Sequence, residues 1–345
     1  MKVIKKRDFS EFVNALIRND PRTVVGVQAR GGKFAFDTLS SAEDLRLGYD
    51  VTTLPPKKYF QPQRESIQKY KLFSGYQVED VVQLEPLIIV GIHPYDLVAI
   101  EQMDKIFADT NPDERYLKRR AASVLIGVNI QEASPWAFAD SMGTAITESG
   151  YDLMLTDLGD NKYAVEVGSD KGSDLLEKCK DVIEGGKKEE RRLEEIKAHI
   201  PNMFKKKLDF SPSELPKYLE AAHDVMDYWD NNAEKCYSCG SCNLVCPTCY
   251  CFDVVDFVSL PLKSGERIRV WDGCLLEEFA KVASGENFRG TKGERYRHRY
   301  MRKGRYISEK FGFIACVGCG RCGSHCLPDI ADPTRIFNGL KEVAK

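Results

Sequence analysis

Two short cysteine blocks constrain this chain more than any other feature. Residues 236–252 read CYSCGSCNLVCPTCYCF and hold six of the 12 cysteines; residues 316–326, CVGCGRCGSHC, repeat the spacing about 70 residues later. Both blocks follow 3-3-4 intervals: Cys236, Cys239, Cys242 and Cys246, then Cys316, Cys319, Cys322 and Cys326. Thiols at i, i+3 and i+6 wrap a short loop around one face of a [4Fe–4S] cubane, and the fourth iron takes a ligand from elsewhere. In two-cluster proteins the cysteine after the three-residue gap serves the other cluster. The spacing therefore predicts one cluster on Cys236, Cys239, Cys242 and Cys326, and a second on Cys316, Cys319, Cys322 and Cys246. Neither forms without both blocks, so folding and cofactor insertion are expected to be linked. Gly240, Gly318, Gly320 and Gly323 fit the same reading, since glycine adopts φ values that let backbone N–H groups approach the sulfurs. Zinc is the competing reading, but a zinc knuckle needs only two thiols, and two blocks of four oversupply it.

Cys249 and Cys251 trail the first block, and Cys274 follows in VWDGC. These three thiols suit either of two readings. They could seed a third iron–sulfur cluster with a non-cysteine fourth ligand, or be buried thiols packed as small hydrophobes. The first reading opens a route to a catalytic iron–sulfur enzyme; the second leaves a carrier of electrons. The run RGTKGERYRHRYMRKGR at 289–305 carries eight basic residues and one acid. It reads as an electropositive collar near the clusters or as a solvated helix face.

Fifty basic residues balance 52 acidic ones, which argues against a nucleic-acid partner. No apolar stretch approaches the roughly 18–20 residues of a membrane span, and MKVIKKRDFSEF lacks the apolar core of a signal peptide. A cytoplasmic location is expected, where clustered thiols read as metal ligands rather than disulfides. The single pair Gly31-Gly32 has no phosphate-cradling context, so no flavin or nucleotide is expected on this chain. No Cys-Cys-Gly pattern of a disulfide-cleaving cluster is present.

The fold expected is α+β. Residues 1–185 read as a mixed α/β domain, with strands at Thr23–Gln28, Leu87–Ile92, Ser123–Asn129 and Tyr163–Val167 and helices at Asp8–Arg18 and Leu97–Phe107. The charge-dense stretch within 186–211 reads as a solvated connector. Residues 212–345 read as a mostly helical domain, with helices at Leu275–Ala283, Glu294–Phe311 and Pro333–Val343. Val245, Phe252, Phe313 and Ile314 are expected to be buried beside the clusters.

Together with both cysteine blocks, several stretches carry a family resemblance: LPPKKYFQPQRE (54–65), GIHPYDLVAI (91–100), SMGT (141–144), GYDLMLTDLGD (150–160), and VWDGC with the following ENFRGTKGERYRHRY. The chain resembles the 4Fe–4S dicluster electron-transfer proteins that include sulfhydrogenase beta subunits and the corresponding electron-transfer component of anaerobic sulfite reductase. The resemblance implies an α-helical ferredoxin fold for the C-terminal domain. It also implies a relay. The donor or acceptor on one side is a flavin- and NAD(P)-binding subunit; on the other is a hydrogenase, sulfite reductase or heterodisulfide-reductase-like subunit. Members of that family carry extra cysteines in stretches like GxxPCD and C…CFCxSMGT. Here Tyr95, Ile130, Ala137 and Ala139 stand at the matching positions, which implies an N-terminal domain that serves as a docking scaffold.

Overall fold

The computed structural model describes residues 1–72 and 75–343. In chain order its strands are β1 (Lys2–Lys5), β2 (Thr23–Arg30), β3 (Lys33–Thr38), β4 (Arg64–Lys71), β5 (Gln77–Asp80) and β6 (Leu87–Ile92). They continue with β7 (Val124–Val128), β8 (Leu153–Gly159), β9 (Lys162–Val167), β10 (Ile183–Glu184), β11 (Phe252–Val258) and β12 (Ser264–Trp271). An eight-stranded sheet has the order β10-β1-β9-β8-β7-β6-β2-β3. Its centre, β2-β6-β7-β8, is parallel, and the flanking pairs are antiparallel. LIIVGI in β6 and VLIGV in β7 are buried at every residue, as parallel strands covered on both faces must be.

The helices α1 (Lys6–Asn19), α2 (Pro94–Ala108), α3 (Glu114–Ala122), α4 (Asp170–Leu176) and α5 (Lys187–His199) accompany this sheet. In α1, Phe9, Phe12, Val13 and Leu16 fall on one buried face, with Asp8 and Arg18 at the ends that favour their charges. Pro94 opens α2, where its missing N–H costs no hydrogen bond. The charged helix α5 also covers the sheet: Leu193 is buried against Val3, Leu158 and Ala164, and Lys197 bonds Glu166 at 2.6 Å. One apolar residue and the stems of long charged side chains suffice to seat it.

The second region contains α6 (Leu215–Ala221), α7 (Met226–Ala233), α8 (Ser241–Leu244), α9 (Lys292–Met301), a π-helical turn (Arg302–Tyr306), α10 (Ile307–Phe311), α11 (Arg321–Ser324) and α12 (Pro333–Val343). Leu215, Leu219, Trp229, Tyr296, Tyr300 and Phe337 form its core. Thr291 and Glu294 cap α9 reciprocally. Gly304 sits in the π turn because a Cβ there would meet Leu219 at 2.4 Å.

Two expectations need correction. Residues 252–271 are not helical: β11 and β12 form a hairpin that joins β4 and β5 in a sheet of order β11-β12-β4-β5. Residues 275–283 contain only a short 3-10 turn, Glu278–Ala280. The hairpin finds its partner, β4, far back in the chain, so no local pattern announces the pairing. Phe252 consequently lies on β11 and is 41% exposed rather than buried, whereas Val245 is 5% exposed. Among the described residues, no helix is long and apolar enough to cross a membrane.

Candidate metal centre

Cys246, Cys316, Cys319 and Cys322 line one cavity, together with Gly318, Gly320, Thr248, Arg299 and Lys303. A cysteine of the first block thus faces three of the second. Burial pushes the free thiols of Cys316, Cys319 and Cys322 up to about 12, against the opposing pull of the Gly318 amide on Cys316, Arg321 on Cys319 and Arg299 on Cys322. As free thiols they stay protonated at neutral pH, and a metal has to displace those protons. The glycines divide into two kinds. Gly240, Gly318 and Gly320 take φ of 71°, 65° and 77°, which L side chains rarely adopt. Gly323 does not; it lies inside α11, where a Cβ would meet the Trp136 ring at 2.5 Å. Its amide donates to Gly320 O at 3.1 Å.

Around the first block, Cys236 and Cys242 are buried in the helical core, and Cys326 packs against the same cluster. Helices α8 and α11, which carry Cys242 and Cys322, lie in contact. The Ser238 amide points at the Cys236 sulfur and the Ile330 amide at the Cys326 sulfur, both at 3.4 Å. Cys239 is exposed and donates to Ser241 Oγ at 3.4 Å. Its neighbour Tyr237, and Leu327 beside Cys326, are 68% and 87% exposed. The site of Cys236, Cys239, Cys242 and Cys326 therefore reaches the surface, whereas Cys319 and Cys322 are buried and Cys246 and Cys316 half-buried.

Cys249, Cys251 and Cys274 line a separate cavity with Asn243, Arg299, Arg302 and Lys303. The structure brings all three together, and Cys249 also lies within hydrogen-bonding reach of Cys246. The basic run resolves into a helix with one face turned inward: Arg295, Arg299 and Lys303 are 3%, 3% and 8% exposed. Their i, i+4, i+8 spacing was the available sign that these cations point one way. Among the described residues, no three His, Cys, Asp or Glu side chains close on one point. The sulfurs stand around cavities instead.

Motifs of the N-terminal region hold the segments that carry these cysteines. From GIHPYDLVAI, Asp96 makes a twofold ion pair with Arg321 at 2.6 Å, and both side chains are fully buried. Arg321 lies between Cys319 and Cys322 and also donates to Thr52. From SMGT, Thr144 Oγ1 donates to Val317 O at 2.7 Å, and nearby Phe138 N donates to Gly318 O at 2.8 Å. From LPPKKYFQPQRE, Lys57 Nζ donates to Cys249 O and Gln61 Nε2 to Tyr250 O at 2.9 Å. Tyr95, Ile130, Ala137 and Ala139 meet in one buried cluster with Val317 and Cys319. The second cysteine block thus docks beyond the carboxyl ends of β6 and β7, where open α/β sheets place their ligands.

The donor sets fit iron–sulfur groups: sulfur ligands, backbone amides aimed at the sulfurs, and buried cations beside them. Residues 235–330 match the family model described as a 4Fe-4S dicluster domain. The class is that of iron–sulfur electron-transfer subunits. Over 341 residues the chain is 31% identical to sulfhydrogenase 2 subunit beta of Pyrococcus furiosus, covering 97% of this chain and 96% of that protein. The chain belongs to this sulfhydrogenase beta-subunit family. No solved structure matches it.

Proposed function

We propose that the chain holds two [4Fe–4S] clusters with crossed ligation and relays single electrons inside a larger complex. Cys236, Cys239, Cys242 and Cys326 hold one; Cys316, Cys319, Cys322 and Cys246 hold the other. The observation that carries this reading is the cavity shared by Cys246 and the three cysteines of the second block. When bound, such clusters supply reversible one-electron storage with no substrate bond made or broken. The protein's part is to hold the sulfurs, to aim the Ser238 and Ile330 amides at them, and to bury Cys319 and Cys322 away from water.

The electron partners follow from the resemblance and the surface. On one side stands a flavin- and NAD(P)-binding subunit, on the other a hydrogenase, sulfite reductase or heterodisulfide-reductase-like subunit. Exposed Tyr237 and Leu327 beside the first block, and the apolar edge strand β11 with Phe252, Val254, Phe257 and Val258, suit contact with such partners. The test is a pair of variants purified anaerobically. Cys246→Ala is expected to remove the EPR signal of the second-block cluster, and Cys326→Ala that of the first. If each variant lost only the signal of its own block, the crossed ligation would be wrong.

A further inference from the structure

Cys249 and Cys251 come from the loop between α8 and β11, and Cys274 from the loop after β12. They face one cavity. Between them stands Asn243, 2% exposed, whose Oδ1 accepts from Leu275 N at 3.3 Å. That bond turns the amide nitrogen towards sulfur, 3.4 Å from Cys274 Sγ and 3.7 Å from Cys249 Sγ. Gly273 presses against it, since a Cβ there would meet the Asn243 side chain at 2.8 Å. The donor is locked in place facing two sulfurs.

The surrounding charge is one-sided. Lys57, Arg299 and Lys303 are 3%, 3% and 8% exposed, and none has a carboxylate within 4.0 Å among the described residues. Lys57 Nζ finds only the Cys249 carbonyl and the Trp271 ring, 4.2 Å away. Lys303 Nζ finds Thr248 Oγ1 at 2.6 Å. Arg299 Nη1 lies 3.8 Å from Cys249 Sγ, and its buried Nε has no partner. An unpaired buried charge is strongly unfavourable, so the site calls for anions that the carboxylates do not supply. Arg299 and Lys303 also face the second block. Lys57 Nζ instead bonds the carbonyl of Cys249, and the Asn243 side-chain amide faces the sulfurs of Cys249 and Cys274. Cysteines packed merely as small hydrophobes would have no use for this wall of donors.

We propose that Cys249, Cys251 and Cys274 are the thiolate ligands of a third iron–sulfur cluster, whose remaining corner carries no cysteine. It would adjoin the second-block cluster, since Cys249 N donates to Cys246 O at 3.4 Å and Arg299 and Lys303 line both cavities. The inference rests on the iron–sulfur reading of the two blocks. Iron and acid-labile sulfide of the anaerobically purified full chain decide it. Three cubanes require about twelve irons per chain and two require about eight. Twelve are expected, with a fall of one third in a Cys249→Ser, Cys251→Ser, Cys274→Ser variant that keeps the EPR signals of both blocks. Eight irons in the wild type would overturn the third site and leave the two-cluster reading standing. A wild type without iron would overturn both. The wild-type count alone decides if the variant fails to fold.

Discussion

Arg321 shows how a single residue ties the two parts of the chain together. It projects from the second cysteine block into the N-terminal region, where Asp96 and Thr52 take up its donors. Both charges are fully buried, so truncating one strands the other. Asp96→Ala is expected to cost about 3–5 kcal/mol of stability, and Asp96→Leu with Arg321→Met to recover most of it. Denaturant unfolding of the iron-loaded proteins measures both. Thr144→Val removes a donor from the buried Val317 carbonyl. About 1–3 kcal/mol should be lost in the same measurement. The repeated cysteine spacing was legible in the sequence because it is a local property. Asp96, Lys57 and Asn243 were not, because each acts on a cation, carbonyl or sulfur that only the fold brings near.

Among the elements, the parallel strands β2, β6 and β7 and the helix α1 were legible from uninterrupted apolar runs and helical periodicity, whereas β8 was not read. The β11–β12 hairpin escaped because β11 is exposed at every residue and has no apolar-in, polar-out alternation. Its β-branched residues were the clue. The small sheet is pinned by Glu65, which bonds Arg269 Nε at 2.7 Å and also pairs with Arg119. Glu65→Ala leaves the buried Arg119 without a carboxylate and Arg269 with Asp113 alone, and is expected to cost about 3–5 kcal/mol. Faster hydrogen exchange confined to β4 and β12 would report it. The exposed apolar side of β11 has a separate use. Val255→Glu with Phe257→Glu should leave the iron content intact and weaken partner-subunit binding by about tenfold or more in co-purification. Unchanged binding would remove β11 from the interface.

At the scale of the whole molecule, two hydrophobic cores meet at the cysteine cavities. One belongs to the eight-stranded sheet, the other to the helices that carry both blocks. Chelating iron under reducing conditions is expected to loosen α8 to α12 while the large sheet keeps its protection; hydrogen exchange by mass spectrometry distinguishes this from uniform loosening. The small sheet imposes an order on synthesis as well. β4 bonds β12 across 204 residues, as between Glu65 and Arg269. At ribosomal rates of about 5–20 residues per second, one edge of β4 stays without its partner for about 10–40 s. During that interval the nascent chain presents an open strand edge, the kind that recruits neighbouring chains. Shielding that edge until residue 271 emerges is therefore a task for the cell before any iron is delivered.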